Sequence, residues 1–420
     1  MRLNQEEKAM AAGELGEPRQ WAIKHQCEVG AFFDADDLVP VAQAHIMADT
    51  ESLGEHGVAF LEQLARHTPD TRRVRIPTIT DPRGVDFRVY KKLGQAQWMA
   101  DLEARAIAAF EALGILMTDT CINYQTIMPP VLGEHMAYGD TGVVIYSNSV
   151  LGARSNFEGG PSALAAALTG RTPRYGFHLD QNRCGTHRYV VDFQPQDWSD
   201  WGALGGLIGR MAGNYWAVPV IEGITSAPGS DALKHFGAAM ASFGSVALFH
   251  MVGVTPEARD ARDPWDGKAP EPRRITRADL DAFFAGYARG GEKVDVVVFS
   301  APQLSLVEMS ALADRLDGRQ INKETTLLAV TSPEIKSASD RMGLTKRIEA
   351  SGALVLSGVC FYQSYAREMA EANGWRRLVT NSAKLTNIIG GYGYEPTLAS
   401  MDACVEAAVS GRIKAQRSVA

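Results

Sequence analysis

Long apolar runs, an excess of basic charge and an export signal are all missing from this sequence. No apolar stretch approaches the roughly 20 residues that a membrane-spanning helix needs, and the first residues, MRLNQEEKAMAAGELG, contain no apolar signal core. The 42 basic residues are outnumbered by 49 acidic ones, which gives a net charge of −7 and a pI of about 5.8. We therefore expect a cytoplasmic protein with no nucleic-acid or membrane partner.

Cysteine is scarce, with five residues at positions 27, 121, 184, 360 and 404. They are scattered, odd in number and without CxxC spacing, so neither a disulfide framework nor a metal site follows from the spacing. For Cys27 and Cys404 we expect small buried side chains. The sequence also lacks a Walker motif, a GxSxG nucleophile elbow, an HExxH motif and internal repeats. The function must therefore be inferred from longer-range patterns.

What the sequence does contain is the composition of a soluble globular protein, with 45% hydrophobic and 22% charged residues among 420. That length suffices for two or three lobes with sizeable cores. In the last third, β-branched apolar strands alternate with helices, which predicts an α/β fold with a parallel sheet covered on both faces. The predicted strands are 294–299, 325–330, 353–356 and 377–380, and the predicted helices are 304–317, 333–349, 363–373 and 397–409.

Polar residues follow each of these predicted strands. Ligands bind beyond the carboxyl ends of the strands in such sheets. This rule brings Cys360, after the third strand, and Lys384, after the fourth, to one rim of the sheet. The alternatives are a packed thiol at Cys360 and a solvated lysine that caps its strand at Lys384.

The segment from Gly133 to Gly176 is rich in Asn, Ser, Arg and Glu between apolar elements. We predict a strand at Val143–Tyr146, a polar loop that carries Arg154, and a short helix that opens at Gly159-Gly160-Pro161 and stops at Gly170. The glycines leave the first N–H groups of that helix uncovered, which suits a carboxylate or a phosphate. An ordinary strand, loop and helix have the same local pattern, but the density of polar residues favours a binding loop.

Three further positions in the first part of the chain carry candidate groups. The periodicity predicts a helix over 96–113 and a strand that starts at 115–117, and Cys121 comes just beyond this strand. It is either a ligand-facing thiol or a core residue. Asp49 is either a helix cap or a binding group, and Asp81 lies in either a plain turn or a substrate-facing loop.

Long, specific strings carry a resemblance to one family. The segment GEHMAYGDTGVVIYSNSVLGARSNFEGGPSALAAALTGRTPRYG, together with LFHMVGVTPEA and TNSAK, resembles aconitase X. The resemblance extends from HIMADTESLGEHGVAFLE to the C-terminal helix. It implies the three-layer α/β/α lobes of aconitase with parallel sheets, divided here into 1–275, with the substrate loops, and 276–420. The small swivelling domain of the family is expected on a separate chain, so this chain is similar to a large subunit.

The resemblance also implies an activity and a cofactor. The family dehydrates small hydroxy acids: bacterial members act on cis-3-hydroxy-L-proline and give pyrroline-2-carboxylate, whereas archaeal members act on mevalonate 5-phosphate. Members hold an iron–sulfur cluster by cysteines after three strands, and two of these positions correspond to Cys121 and Cys360. The third, in a string that resembles GCPH in archaeal members, is Ala301 here. The nuclearity, 2Fe-2S or 3Fe/4Fe-4S, stays open, as does substitution by Cys184.

The residues around the expected site favour hydroxyproline. A phosphate ester needs a cluster of basic groups, whereas acidic groups stand beside the few basic ones here and suit the ring ammonium of an amino acid. The alternatives are another hydroxy acid, such as mevalonate 5-phosphate, and a non-catalytic paralogue with a decayed cluster site. Lys384 and Arg154 are the expected catalytic residues, and the base is expected on the swivelling domain. The expected substrate-binding residues are Ala48, Asp49, Thr50, Asp81, Pro82, Thr141, Asn148, Ser149, Gly159 and Gly160.

Overall fold

The computed structural model describes residues 1–288 and 293–413. In its first part, three short parallel strands lie in the order β3-β2-β4 and a two-stranded antiparallel sheet pairs β1 with β5. Helices pack around both sheets. The elements are α1 (Gln5–Ala12), α2 (Glu17–Phe32), β1 (Leu38–Pro40), β2 (Ala44–Ile46), α3 (Thr50–Ala65), α4 (Pro69–Arg72), β3 (Thr78–Thr80), α5 (Gln97–Ala112), α6 (Asn123–Thr126), β4 (Ala137–Tyr138), α7 (Thr141–Val150), α8 (Gly160–Thr169) and β5 (Arg171–Pro173).

The middle part has a four-stranded parallel sheet in the order β8-β7-β6-β9. Its glycine-rich helices α9 and α10 pack closely, since a Cβ added at Gly205 would come within 2.0 Å of the Phe236 carbonyl. The elements are β6 (His187–Val191), α9 (Trp198–Ala212), β7 (Pro219–Glu222), α10 (Ser230–Gly244), β8 (His250–Met251), β9 (Arg273–Ile275) and α11 (Arg277–Ala285).

The last part has a five-stranded parallel sheet in the order β12-β11-β10-β13-β14. Strand β10 is buried along its whole length, as its β-branched sequence predicts. The elements are β10 (Val296–Leu304), α12 (Leu306–Leu316), β11 (Thr326–Thr331), α13 (Pro333–Arg341), α14 (Leu344–Ala350), β12 (Leu354–Ser357), α15 (Ala366–Asn373), β13 (Arg377–Thr380), α16 (Ala383–Ile388), β14 (Glu395–Leu398) and α17 (Met401–Ser410).

The predicted α/β class with parallel sheets is confirmed, and so are most elements of the last part. The predicted helix 333–349 is two helices, because Gly343 adopts a left-handed conformation (φ 73°) between α13 and α14. Strand β14 was not predicted. The proposed division into 1–275 and 276–420 stays a prediction, and 289–292 and 414–420 in its second part lie outside the described residues.

Two predicted strands of the first part are wrong. Residues 143–146 belong to helix α7, and the strand expected at 115–117 is reduced to a single bridge between Leu116 and Ile79. In α7 the Asp140 Oδ1 atom caps the helix by accepting from the Val143 N–H at 2.9 Å. The helix is buried on every side from Gly142 to Ser149. An apolar run without periodicity cannot distinguish such a helix from a strand.

Within the described residues, the structure contains no helix with both the length and the apolar character to cross a membrane.

Candidate active site

Two buried thiols, those of Cys121 and Cys360, come together where all three parts of the chain meet. Their residues are 3% and 1% exposed. A hydrogen bond with the Cys360 thiol is the main reason that the pKa of the Cys121 thiol lies well above its ordinary value, followed by burial. The Gln303 N–H donates to the Cys121 Sγ atom at 3.4 Å, and the Ser300 Oγ atom lies 3.8 Å from the Cys360 Sγ atom.

Lys384 lies in the first turn of α16 and is close to both thiols. Its Nζ atom donates to the Asp140 Oδ2 atom at 3.2 Å. Burial alone would lower the pKa of Lys384, but the neighbouring Asp140, Cys121 and Cys360 side chains raise it above its ordinary value. Burial would likewise raise the pKa of Asp140, but Lys384 and the cap of α7 lower it. The pair is therefore an ammonium and a carboxylate.

Two more buried carboxyl groups, those of Asp49 and Asp81, share one amide. The Gln363 Nε2 atom donates to the Asp81 Oδ2 atom at 3.0 Å and to the Asp49 Oδ2 atom at 3.4 Å. Burial raises the pKa of both carboxyl groups, and the charges of Asp140 and Cys121 raise that of Asp81 further. Asp49 is also the cap of α3, because its Oδ1 atom accepts from the Ser52 N–H at 2.7 Å.

Some polar atoms of this cluster have no partner among the described residues. They include the Asp81 Oδ1 atom and the His45 Nδ1 atom. His45 lies fully buried, its Nε2 atom is 2.8 Å from the Thr120 carbonyl oxygen and 3.6 Å from Asp81 Oδ1, and burial lowers its pKa. Buried polar groups without partners are rare in native proteins. Their position beside the two thiols indicates a site that a ligand completes.

Thr50 connects this cluster with a surface cavity of about 420 Å³. Its Oγ1 atom donates to the Glu103 Oε2 atom at 2.7 Å and lies 2.9 Å from the Tyr365 hydroxyl oxygen. Burial raises the pKa of Glu103 to about 8. The neighbouring Ala48 and Pro82 are buried. The cavity is lined by Thr50, Glu51, Gly54, Glu55, Trp98, Asp101, Leu102, Arg105 and Tyr365.

Two helix N-termini carry the predicted backbone groups. Helix α8 begins at Gly160, and its first turn has no side-chain cap, while a Cβ added at Gly159 or Gly160 would meet nothing within 4 Å. The predicted open helix start is therefore confirmed. Thr141 is the first residue of α7, and a Cβ added at the next residue, Gly142, would lie 3.6 Å from the Lys384 Nζ atom.

The structure brings together Asp49, Asp81, Cys121, Cys360 and Lys384, but not three other predicted site residues. The Arg154 guanidinium donates to Asp180 and to the His178 carbonyl oxygen. The Asn148 amide nitrogen donates to the carbonyl oxygens of Ser155 and Ala247, and the Ser149 hydroxyl accepts from the Phe249 N–H. Because α7 is a helix, Asn148 and Ser149 lie about 12 Å along its axis from Asp140.

At the position where family members have the third cluster cysteine, this chain has an alanine, which cannot bind a metal. Ala301 is buried in an apolar cluster and has φ of 58°. Burial raises the pKa of the Cys184 thiol, and so do Asp266, Glu257 and Asp180, none of which belongs to the thiol cluster. Among the described residues, no group of three or more His, Cys, Asp or Glu side chains is arranged to hold a metal. A cluster held by three thiolates of this chain therefore does not fit, and the thiolate donors that remain at the site are those of Cys121 and Cys360.

Comparison with known proteins gives one family over most of the chain. The models of the aconitase X first, second and third domains match residues 1–181, 185–285 and 294–410. The phosphomevalonate dehydratase large subunit of Methanosarcina mazei is 34% identical over 98% of both chains. The cis-3-hydroxy-L-proline dehydratase of Pseudomonas aeruginosa is 32% identical over 98% of this chain and 70% of its own length. The solved structure of Thermococcus kodakaraensis aconitase X (holo-form) superimposes with a TM-score of 0.86 at 29% identity, over 97% of this chain and 100% of that one.

Proposed function

The chain belongs to the aconitase X family and is the large subunit of a dehydratase, a hydro-lyase, and we propose that its substrate is cis-3-hydroxy-L-proline. The observation that supports this substrate is the Gln363 amide between Asp49 and Asp81. An amide NH₂ group presents two N–H donors from one nitrogen, and the ring ammonium of a cyclic amino acid presents the same pattern. The two carboxyl groups are therefore already arranged around a nitrogen with two donors.

The charge at the site points in the same direction. Two cations lie next to the thiol loops, and each is already paired with a carboxylate: Lys384 with Asp140, and Arg83 with Asp119 at 3.3 Å. A phosphate group is held most strongly by several cations or by bidentate arginines. Two further acidic groups beside two paired cations suit a zwitterion better than a phosphate ester that also carries a carboxylate.

Each group then has a role toward the substrate. Asp81, whose Oδ1 atom has no hydrogen-bond partner among the described residues, binds the ring nitrogen beside Asp49. The Lys384 ammonium binds the carboxylate or the C3 hydroxyl. Dehydration removes the C2 proton and the C3 hydroxyl, so negative charge develops toward the carboxylate and must be stabilised. The open N–H groups at Gly159-Gly160 contribute to that stabilisation. Arg154 stays a proposed residue, although its guanidinium bonds to Asp180.

An iron centre, in the form of an iron–sulfur cluster, is proposed on Cys121 and Cys360. When bound, it would supply a Lewis acid that assists departure of the hydroxyl group. Protein-bound 2Fe-2S and 4Fe-4S clusters are normally held by four thiolates. Ligands besides Cys121 and Cys360 would therefore complete a cluster of either kind.

A small swivelling subunit on a separate chain is the proposed partner and source of the catalytic base. Support comes from the relatives that are named phosphomevalonate dehydratase large subunit, because a large subunit implies a small one. The proposal places the complete enzyme in two chains.

Mevalonate 5-phosphate is the second candidate substrate. The relatives named phosphomevalonate dehydratase large subunit reach 34% identity and nearly the full length of this chain. The charged groups of the site can distinguish the two candidate substrates, because hydroxyproline has an ammonium and mevalonate 5-phosphate has a phosphate.

The deciding experiment is co-expression with a candidate small subunit, followed by dehydration assays on both substrates. We expect conversion of cis-3-hydroxy-L-proline to pyrroline-2-carboxylate. Asp81→Asn, which removes one charge at constant shape, should raise KM for hydroxyproline by at least about tenfold, as expected for a charged hydrogen bond worth ~1.5–3 kcal/mol. Turnover of mevalonate 5-phosphate without competition by hydroxyproline would overturn the proposed substrate.

A further inference from the structure

Gln303 contacts the loops that carry both thiols. It is fully buried near the carboxyl end of β10. Its Oε1 atom accepts from the Cys121 N–H at 3.2 Å, and its own N–H donates to the Cys121 Sγ atom at 3.4 Å. The residue thus forms two opposed hydrogen bonds with Cys121, across 182 positions of the chain.

The amide nitrogen of the same side chain reaches the second thiol loop. Gln303 Nε2 lies 3.0 Å from the Asp119 carbonyl oxygen and 3.1 Å from the Val359 carbonyl oxygen, one residue before Cys360. A longer contact, 3.4 Å, joins it to the Thr331 carbonyl oxygen at the end of β11. One planar amide therefore connects the main chain just before Cys121 with the main chain just before Cys360.

The backbone of Gln303 is itself held from the middle part of the chain. The Lys234 Nζ atom on α10 donates to the Gln303 carbonyl oxygen at 3.2 Å. Lys234 is fully buried and paired with Glu308 and Asp231. The buried Lys234 ion pair thus holds the Gln303 backbone, and the Gln303 side chain in turn holds the loops that carry Cys121 and Cys360.

These contacts require the chemistry of a primary amide. The Oε1 atom must accept from an N–H group, and the nitrogen must donate to carbonyl oxygens. A carboxylate in its place would face two carbonyl oxygens without a donor, and a thioether would make neither set of bonds. The amide geometry also sets how far apart the two main-chain segments lie.

We propose that Gln303 is the positioning residue that sets the separation of the Cys121 and Cys360 thiols before a metal binds. The inference rests on the two-thiolate centre proposed above. A chelating pair loses affinity when its spacing is not fixed in advance, and loss of a residue that orients metal ligands commonly lowers affinity by about 10–100-fold. Gln303 has this effect through Cys121 and Val359 without touching the metal.

Cd²⁺ binding to the metal-free full chain tests the proposal without an activity assay. Cd²⁺ bound to thiolates gives a charge-transfer absorption that reports the bond itself. The background carries Cys27→Ser and Cys184→Ser, because these two thiols are only partly buried. We expect one Cd²⁺ per chain, and a loss of affinity of about 10–100-fold in Gln303→Glu and in Gln303→Met. The matched control is Gln26→Glu, a buried glutamine whose amide donates to the Arg171 carbonyl oxygen elsewhere.

The outcomes separate the two ideas. If Cys121→Ala with Cys360→Ala leaves Cd²⁺ binding unchanged, the two-thiolate centre is wrong. If that double variant abolishes binding while both folded Gln303 variants bind within threefold of the parent, the role of Gln303 is overturned. Should the Gln303 variants not fold, hydrogen exchange of the parent chain decides: the Cys121 and Gln303 amides must be protected in the metal-free state, and rapid exchange of the Cys121 amide contradicts the proposal.

Discussion

Two buried lysines, Lys234 and Lys384, differ in how completely their surroundings satisfy them. Lys234 contacts Glu308, Asp231 and the Gln303 carbonyl oxygen, which occupies all three of its N–H donors. Glu308 in turn lies 2.6 Å from His235 and accepts from the Ser305 N–H at 2.9 Å. Among the described residues, neither Lys234 nor Glu308 leaves a buried polar atom without a partner.

The surroundings of Lys384 are incomplete. Its one hydrogen bond to a carboxylate, that of Asp140, measures 3.2 Å, and the nearby Asp81 Oδ1 and His45 Nδ1 atoms have no partner in the described part of the chain. Both lysines are buried and both face several acidic groups, so burial and charge do not distinguish them. What distinguishes them is the presence of buried polar atoms without a hydrogen-bond partner near Lys384. This difference indicates that the Lys384 cluster is the one that binds a ligand.

Removal of Lys234 should have the largest effect on stability. Lys234→Met leaves the buried Glu308 and Asp231 carboxylates without their common cation, and breaking a buried pair in this way costs about 3–5 kcal/mol. Chemical denaturation of the full chain measures this loss. The double variant Lys234→Met with Glu308→Gln should recover much of it, and a single variant as stable as the parent would remove the contrast between the two lysines.

Removal of Lys384 should affect turnover as well as stability. Lys384→Met deletes one hydrogen-bond donor to the developing charge, for which a loss of about 10²–10³-fold in kcat is typical. We expect the loss in free energy of unfolding to be smaller than that of Lys234→Met, because only one buried carboxylate loses its cation and Asp140 keeps its bond from the Val143 N–H. Steady-state assays of the two-chain enzyme with matched denaturation curves check both parts, and a stability loss as large as that of Lys234→Met contradicts the comparison.

Glu103, next to the incomplete cluster, should make stability fall as pH rises. Burial raises its pKa from 4.5 to about 8, and Thr50 and Arg83 only partly oppose this. The unfolded chain loses this proton near pH 4.5 while the folded chain keeps it, so stability is lost between about pH 4.5 and 8. Glu103→Gln should remove this slope and stabilise the protein by on the order of 4 kcal/mol at pH 8. Parallel slopes for parent and variant in denaturation from pH 5 to 8 would contradict it.

Glu308 in the complete cluster should give the opposite slope. Burial alone would raise its pKa, but the charges of Lys234 and His235 outweigh burial and lower it from 4.5 to about 2. Its contribution is present above about pH 4.5 and is lost as pH falls toward about 2. Acid denaturation of Glu308→Gln should therefore be less steep in that window, by on the order of 2 kcal/mol. Equal acid sensitivity of variant and parent would show that the pair does not hold the carboxylate ionised.

Removal of the Arg154 side chain should have the smallest effect on turnover. Its guanidinium is occupied by Asp180 and the His178 carbonyl oxygen, away from the thiols. Arg154→Ala is expected to lower kcat by less than about tenfold, or ~1.4 kcal/mol. The same assay with Lys384→Met provides the scale, and a comparable loss of kcat in both variants would show that Arg154 contributes as much to turnover as Lys384.

The sequence predicted well those features that depend on local periodicity and sheet topology. The rim that joins Cys360 to Lys384 followed from parallel strands alone, and α8 followed from its glycine and proline signals. The strand expected at 143–146 failed because a helix buried on every side has no polar face to reveal its period.

Gln303 and Gln363 were missed for a different reason. A glutamine carries no local signal, and these two acquire their roles from partners 182 and 282 positions away. The spacing of the thiols and the nitrogen-binding pair of carboxyl groups are tertiary properties, so periodicity, composition and motif searches do not report them. Glutamines that directly follow buried strands, near cysteines, are the signal that such a search could add.

The bond between Cys121 and Gln303 joins positions 182 residues apart and has a consequence for the newly made protein. Contacts between distant positions form late in folding, because the entropy cost of closing a long loop comes before the favourable energy of the contact. During synthesis the first thiol therefore emerges long before the amide and the second thiol. An unfinished chain would expose half of the proposed metal site, so premature capture of iron by a nascent chain would be disfavoured until the final third has folded.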